Sequence, residues 1–553
     1  MRIKKVKTKE EYKKFFKSNK NDTNVLNFIK QKSNEINTIN GDLAYKTTFN
    51  PFIDALFSVV EYRTNPNKVK QLVNDCFEID PQLTVKLIFH FRDISEGKGE
   101  RNTFRIAIKE LSKKVNIKNL IPLIPMYGRY DDLLCLLDID IDRDTKNYVL
   151  AYIKEKLNED LFLYKEKKPI SLLAKWLPSE NASSEKTKTY AKIIIKSLGY
   201  SSKEYRQTLS KLRKYIGIIE TKITQGIFDF EYSQVPSCAM LKYKNIFLEK
   251  DNERYRQFLE DVASGETEIK AKNLFPHQII KEVRELEYDN DKNKISALNL
   301  LWKNLKDIPI SKGTICMPDF SGSMYTSWYS CVSPIDVACA MALYTSERLD
   351  GIWKNKFISF SSKPRLIDVS KYDNIKDKVF FALEEDALNT DLDKAFKLIL
   401  DIYKNENLNK NEIPTTLIIV SDMQFDNCCS HNESTYDKYK RLFEESGLVI
   451  PKIIFWNVHS QVTIPTMNEK GVLLMSGYSL NNLKFLDTSY TPLDLLLDTL
   501  LDERYENIFL LDNKEQNNSN VIHIENINLP QVNNVNQFIN ELQRFTCSRN
   551  KIE

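Results

Sequence analysis

The sequence predicts an α-helical repeat region over residues 1–305 followed by an α/β domain with a parallel sheet over 306–553. From about residue 20 to 300 the apolar residues recur at helical spacing. After about residue 305 short β-branched or aromatic runs alternate with helical segments. Length agrees, since 553 residues exceed what one hydrophobic core usually serves.

In the first region, "NPFIDALFSVVEYR" sets Phe52, Ile53, Leu56, Phe57 and Val60 on one side, after a proline suited to a first helical turn. "DPQLTVKLIFHFRDI", "NTFRIAIKELSKKV", "NYVLAYIKEKL" and "YAKIIIKSLGY" repeat the pattern. The breaks are short and rich in Gly, Pro or Asn, as in an irregular α-solenoid or a bundle. "SEGKGER" lacks the GxxxxGK[ST] spacing of a nucleotide-binding loop and follows a helix. A tight interhelical turn and RNA contact by Lys98 and Arg101 are its two readings. "YGRYDD" either stacks bases on Tyr127, Arg129 and Tyr130, or packs between helices with Arg129 paired to Asp131 or Asp132. In "SSKEYRQTLSKLRKYI", Ser201 and Glu204 predict a capping box. Tyr205, Leu209, Leu212 and Ile216 fall on one face, and Lys203, Arg206, Lys211, Arg213 and Lys214 cover the other. That second face is a solvated surface or a phosphate-contacting one.

In the second region, "KGTICMP", "NKFISFSS", "TTLIIVSDM", "PKIIFWNV" and "GVLLMSGYS" read as strands, with Trp456 packed under the sheet. "SPIDVACAMALYTSER", "TDLDKAFKLILDIYKN", "STYDKYKRLFEESG" and "TPLDLLLDTLLDERYENI" read as the helices between them. Ligands of such sheets bind beyond the carboxyl ends of the strands. Three oxygen-bearing segments arrive there: Asp319, Ser321 and Ser323 after the first strand, Thr390 in a capping box with Asp393, and Asp422 after the most apolar strand. Two carboxylates and three hydroxyls suit a hard cation. "DFSGSM" is not GxSxG, and a phosphatase-type aspartate would want a second aspartate at position 321, so a nucleophile is disfavoured. Trp328 stands close enough to border a ligand, and Cys428 and Cys429 lie in the loop after Asp422.

Composition narrows the classes. Nine scattered cysteines without CxxC spacing fit a reducing compartment, and five separated histidines argue against a zinc site. There is no long apolar run and no apolar signal core, so a cytoplasmic monomer with no membrane partner is expected. Residues 1–300 carry 54 Lys+Arg against 42 Asp+Glu, and the remainder 26 against 34. The basic first part is compatible with nucleic acid.

DxSxS after the first strand, a threonine before a central helix and an aspartate after the fourth strand resemble the metal-ion-dependent adhesion site of von Willebrand factor A domains, which have a Rossmann-like parallel sheet. That resemblance, over about residues 308–510, implies Mg²⁺ (or Mn²⁺ or Ca²⁺) held by Asp319, Ser321, Ser323, Thr390 and Asp422. Members often carry glycine before the threonine and after the last aspartate; here the residues are "ALNT" and "SDMQFD", and Asp391 or Asp426 could substitute. The whole chain is similar to the Ro-type (TROVE) RNA-binding proteins, with HEAT-like helices closed by such a domain. It is more similar still to an uncharacterised related family of giant DNA viruses, fungi and plants, through "NPFIDALF", "RDISEGKGER", "PMYGRYDDLL", "LAKWLPS", "QVPSCAMLKY", "SDMQFD" and "IIFWNV". The implied role is noncatalytic binding of RNA, with Lys98, Arg101, Arg129, Lys203, Arg206, Arg213 and Lys214 as candidate contacts. The alternative partner is a protein that offers a carboxylate to the metal. In a virus, packaging in the particle would follow.

Overall fold

The computed structural model describes residues 7–18, 33–63, 65–325, 332–360, 363–384, 391–404, 412–426, 435–459, 463–466, 469–487 and 490–511. Helices of seven or more residues are numbered. After α1 (Lys9–Ser18) comes a short antiparallel hairpin, β1 (Glu35–Asn37) and β2 (Leu43–Tyr45), inside the stretch expected to be helical. Helices α2 (Pro51–Phe57), α3 (Pro66–Ile79), α4 (Pro81–Arg92), α5 (Arg101–Ser112), α6 (Arg143–Lys165), α7 (Glu185–Leu198), α8 (Ser202–Ile216), α9 (Ser237–Lys250), α10 (Asn252–Ser264), α11 (Pro276–Arg284) and α12 (Lys292–Lys303) follow. Their starts are written locally: Asn50, Asn65 and Asp80 each cap a helix whose next residue is proline. In α8 the box of Ser201 and Glu204 forms as expected.

The second part holds β3 (Thr314–Pro318), α13 (Pro334–Glu347), the β4 (Lys356–Ile358) and β5 (Leu366–Asp368) hairpin, and α14 (Ile375–Leu383). Then come α15 (Leu392–Lys404), β6 (Thr416–Ser421), α16 (Thr435–Glu445), β7 (Lys452–Asn457), β8 (Val472–Ser476) and α17 (Pro492–Leu500). Four strands make a parallel sheet in the order β3-β6-β7-β8, in a register that aligns Met317, Ile419, Phe455 and Leu474. "NKFISFSS" departs from expectation. Its first residues pair antiparallel with β5, because Ser359 donates its N–H to Arg365 O (2.9 Å) and the chain doubles back. Among the described residues of this segment, Phe360 meets the parallel sheet, through a bridge to Asp319.

Both faces of the sheet are covered, and each cover is shared with the helical region. Ile315, Met317, Leu417, Ile419, Ile453 and Phe455 point into a core with Phe396, Leu496 and residues of the first helices, from Phe52 to Leu212. Their neighbours Cys316, Ile418, Val420, Ile454, Trp456 and Met475 point into a second core with α13 and with residues from Ile219 to Leu305. Trp456 is fully buried and donates Nε1–H to Gly477 O (2.7 Å). Polar struts tie the parts together. Asn481 donates to Ser95 O (3.1 Å) and Gly97 O (3.2 Å), and Arg504 forms a bidentate pair with buried Asp93. "SEGKGER" is thus a turn docked on the α/β domain. Gly99 has φ +72°, and a Cβ on Gly97 would sit 2.2 Å from His90 O.

Candidate functional site

Parallel strands place their last residues on one edge. Asp319 leaves β3 with its N–H on Val420 O (2.9 Å) and its carboxylate wholly buried. Oδ1 accepts the Ser321 N–H (2.8 Å) and Oδ2 the Ser421 hydroxyl (2.7 Å). Burial first, and then the charge of Asp422, push the Asp319 pKa up to about 7 against those hydrogen bonds. Ser321 is buried and Ser323 exposed, with hydroxyl oxygens 3.0 Å apart.

Asp422, buried, follows β6 and accepts the Gln424 N–H (3.1 Å). Between them Met423 has φ +64°, the left-handed conformation a glycine would adopt readily. That backbone costs about 1–2 kcal/mol for an L-residue, so its surroundings must impose it. Ser421 Oγ accepts the Met423 N–H (3.0 Å), and the Thr463 hydroxyl donates to Met423 O (2.8 Å). The β1–β2 hairpin clasps the rest of the loop. Thr38 donates to Phe425 O (2.7 Å), Ile39 N–H to the Gln424 side-chain oxygen (2.8 Å), and Asn40 to Gln424 O (2.7 Å).

Thr390 lies outside the described residues, as do Trp328, Cys428 and Cys429. Asp393, the expected box partner of Thr390, accepts from Tyr439 (2.9 Å) and pairs with Lys438. Asp391 takes up the capping of α15, accepting the Lys394 N–H (3.0 Å). Asp426 pairs with Gly41 in a bridge. The sequence reading missed Ser421 and also His459, which follows β7. Burial holds the pKa of His459 below its usual value, although Asp422 pulls it upward.

The donors converging here are hydroxyl and carboxylate oxygens, which fit a hard divalent cation. No three His, Cys, Asp or Glu side chains converge on a metal position among the described residues, so such an ion would complete its shell with hydroxyls and water.

The candidate RNA contacts scatter. Lys98 is overturned as a phosphate contact. It is buried, and its ammonium donates to Ser476 O (2.9 Å) and Asn482 Oδ1 (2.6 Å), because the turn that carries it packs against β8. Arg213 is likewise committed, to Ala174 O (2.8 Å), Leu177 O (2.8 Å) and the Ser179 hydroxyl (3.0 Å). Arg129 stacks 4.6 Å over the Trp176 ring, while Asp131 and Asp132 go to Arg105 and Arg92. Tyr127 is buried against Phe89 and Tyr505, so it offers no face to a base. Arg101, Lys203, Arg206 and Lys214 are exposed. Arg206 and Lys214 line a groove of about 740 Å³ that Ser210, Thr221 and Lys222 also border.

Comparison with known proteins places this geometry in context. Residues 313–521 match a domain of unknown function, DUF7788, and residues 38–139 and 147–315 match another, DUF2828. An uncharacterized protein, L728, of Acanthamoeba polyphaga mimivirus is 27% identical over 551 residues, covering 92% of this chain and 93% of its own. The crystal structure of the Deinococcus radiodurans Ro protein (Rsr) superposes with a TM-score of 0.47 at 12% identity, covering 82% of this chain and 99% of that one. Over nearly its full length the chain is therefore similar to a viral protein, and part by part to two families whose function is unknown.

Proposed function

We propose that the chain is a noncatalytic binding protein. Its α/β domain, of the von Willebrand factor A type, takes an anionic oxygen of a partner through a divalent cation, and its helical repeat region binds RNA.

One observation carries the first half: Asp319 and Asp422 are buried together, close enough that the charge of Asp422 opposes ionisation of Asp319. Asp319, Ser321, Ser323 and Asp422 would hold Mg²⁺, with Thr390 as a further oxygen. The ion, when bound, supplies an open coordination position for an anionic oxygen. Ser421 fixes the rotamer of Asp319, and the Met423 backbone fixes the start of the Asp422 loop. In thermal melts, Mg²⁺ should stabilise the full chain, and Asp319→Ala should lose that response. An equal response in the variant sinks the metal reading.

The RNA half rests on the exposed cations of α8 and the groove beside them. Binding of single-stranded and structured RNA should weaken as salt rises, and Arg206→Ala with Lys214→Ala should flatten that dependence by about one unit of log–log slope per lost phosphate contact. Salt-insensitive binding, or none, excludes RNA. If an acidic peptide then binds in Mg²⁺ and not to Asp319→Ala, the partner at the metal is a protein carboxylate.

A further inference from the structure

Four lysines are buried among the described residues: Lys86, Lys98, Lys244 and Lys376. Three are satisfied. Lys98 bonds Ser476 O and Asn482, Lys244 pairs with Glu282, and Lys376 donates to Asp289 O (2.9 Å) and Asn290 Oδ1 (2.8 Å). Lys86, on α4 and only 3% exposed, makes no hydrogen bond or ion pair among the described residues. Its ammonium is absent from the fully enclosed polar atoms that lack a partner, so it meets the solvent of an adjoining cleft.

Lys86 lines a cavity of about 460 Å³ between α1, α4 and the end of α17. Leu497 and Leu501 form apolar wall, and Lys7, Thr8 and Lys9 form the opposite rim at the amino end of α1. The rim cations are already oriented: Lys7 on Asp80 (2.8 Å) and Lys9 on Asp498. Thr8 and Glu11 cap α1 reciprocally, the Thr8 hydroxyl accepting the Glu11 N–H (3.2 Å). The remaining lining groups are two carboxylates: Asp498, paired with Lys9, and Glu506, which is exposed and whose charge only partly offsets the effect of burial on Lys86.

We infer that this cavity binds a phosphate-type oxyanion on the Lys86 ammonium, with Lys7 and Lys9 at its rim and any organic part of the ligand against Leu497 and Leu501. An ammonium with no hydrogen-bond partner facing one small cavity, with further ammonium groups at its rim, is what such an anion needs. The volume admits a free phosphate or a small phosphomonoester, and both present the same oxygens to Lys86.

The test is calorimetric titration of the full chain with inorganic phosphate and with phenyl phosphate, at fixed ionic strength in chloride. Saturable binding is expected, weakened at least about tenfold in Lys86→Met, which corresponds to the loss of one charge-assisted contact. Lys9→Ala, which strips Asp498 of its partner at the rim, should weaken it about threefold or more. Tighter phenyl phosphate identifies a monoester site, and equal affinities identify a site for free phosphate. Absence of saturable heat in the wild type, or unchanged affinity in Lys86→Met, overturns the inference. Should Lys86→Met not fold, Lys86→Gln is read by the same two criteria.

Discussion

The hydroxyl of Ser421 donates to Oδ2 of Asp319 at 2.7 Å and joins the last residue of β6 to the first residue beyond β3. The same oxygen accepts the Met423 N–H (3.0 Å), so one serine sets both carboxylate-bearing loops. Ser421→Ala should destabilise the fold by about 1–3 kcal/mol, the cost of stripping partners from buried polar groups. Urea denaturation measures it, and a change within error would show that the loops do not depend on Ser421.

A carboxyl whose folded pKa is raised holds its proton in the native state where the unfolded chain has lost it. For Asp319 that window runs from the usual carboxylate range up to about 7. Stability without divalent cations should therefore fall as pH rises through it, by a few kcal/mol, and Asp319→Asn should remove that slope. Parallel denaturation curves for wild type and variant between pH 4 and 8 would contradict the assignment.

Lys98 has the opposite sign. Burial lowers its pKa to about 7, so from there to the ordinary lysine range the unfolded chain binds the extra proton. The wild type should gain stability relative to Lys98→Met as pH rises from 7 to 10. The difference between the two chains, read at each pH by urea denaturation, isolates this residue from the other titrating groups.

The clasp over the Asp422 loop is testable through Gln424, whose side-chain oxygen accepts the Ile39 N–H. Gln424→Ala should speed hydrogen exchange at Ile39 and along β1–β2 while leaving β7 protected, and should cost about 1–2 kcal/mol. Uniform exchange changes would mean that the hairpin is not held at this point.

The positions of Asp319 and Asp422 were legible because apolar strands announce themselves and a parallel sheet sends its ligands to one edge. Ser421 was not, since a serine at a strand end carries no periodic signal. Lys98 misled for a related reason. Lysine is ordinarily a surface residue, and what buries it, Ser476 and Asn482, lies almost 400 positions later in the chain. The glycine missing after Asp422 suggested altered geometry, yet Met423 adopts the glycine-like backbone, held there by contacts from Ser421 and Thr463. The β1–β2 hairpin was hidden because three-residue strands are too short to show a period.

The cores shared between distant stretches have a consequence for synthesis. The helices up to Leu212 bury apolar faces against strands that end at Ser476, and at about 5–20 residues per second the ribosome needs roughly tens of seconds to make the intervening chain. During that interval the nascent helices present a greasy, half-built surface to the cell. Production of this protein should accordingly depend on chaperone supply far more than its composition suggests.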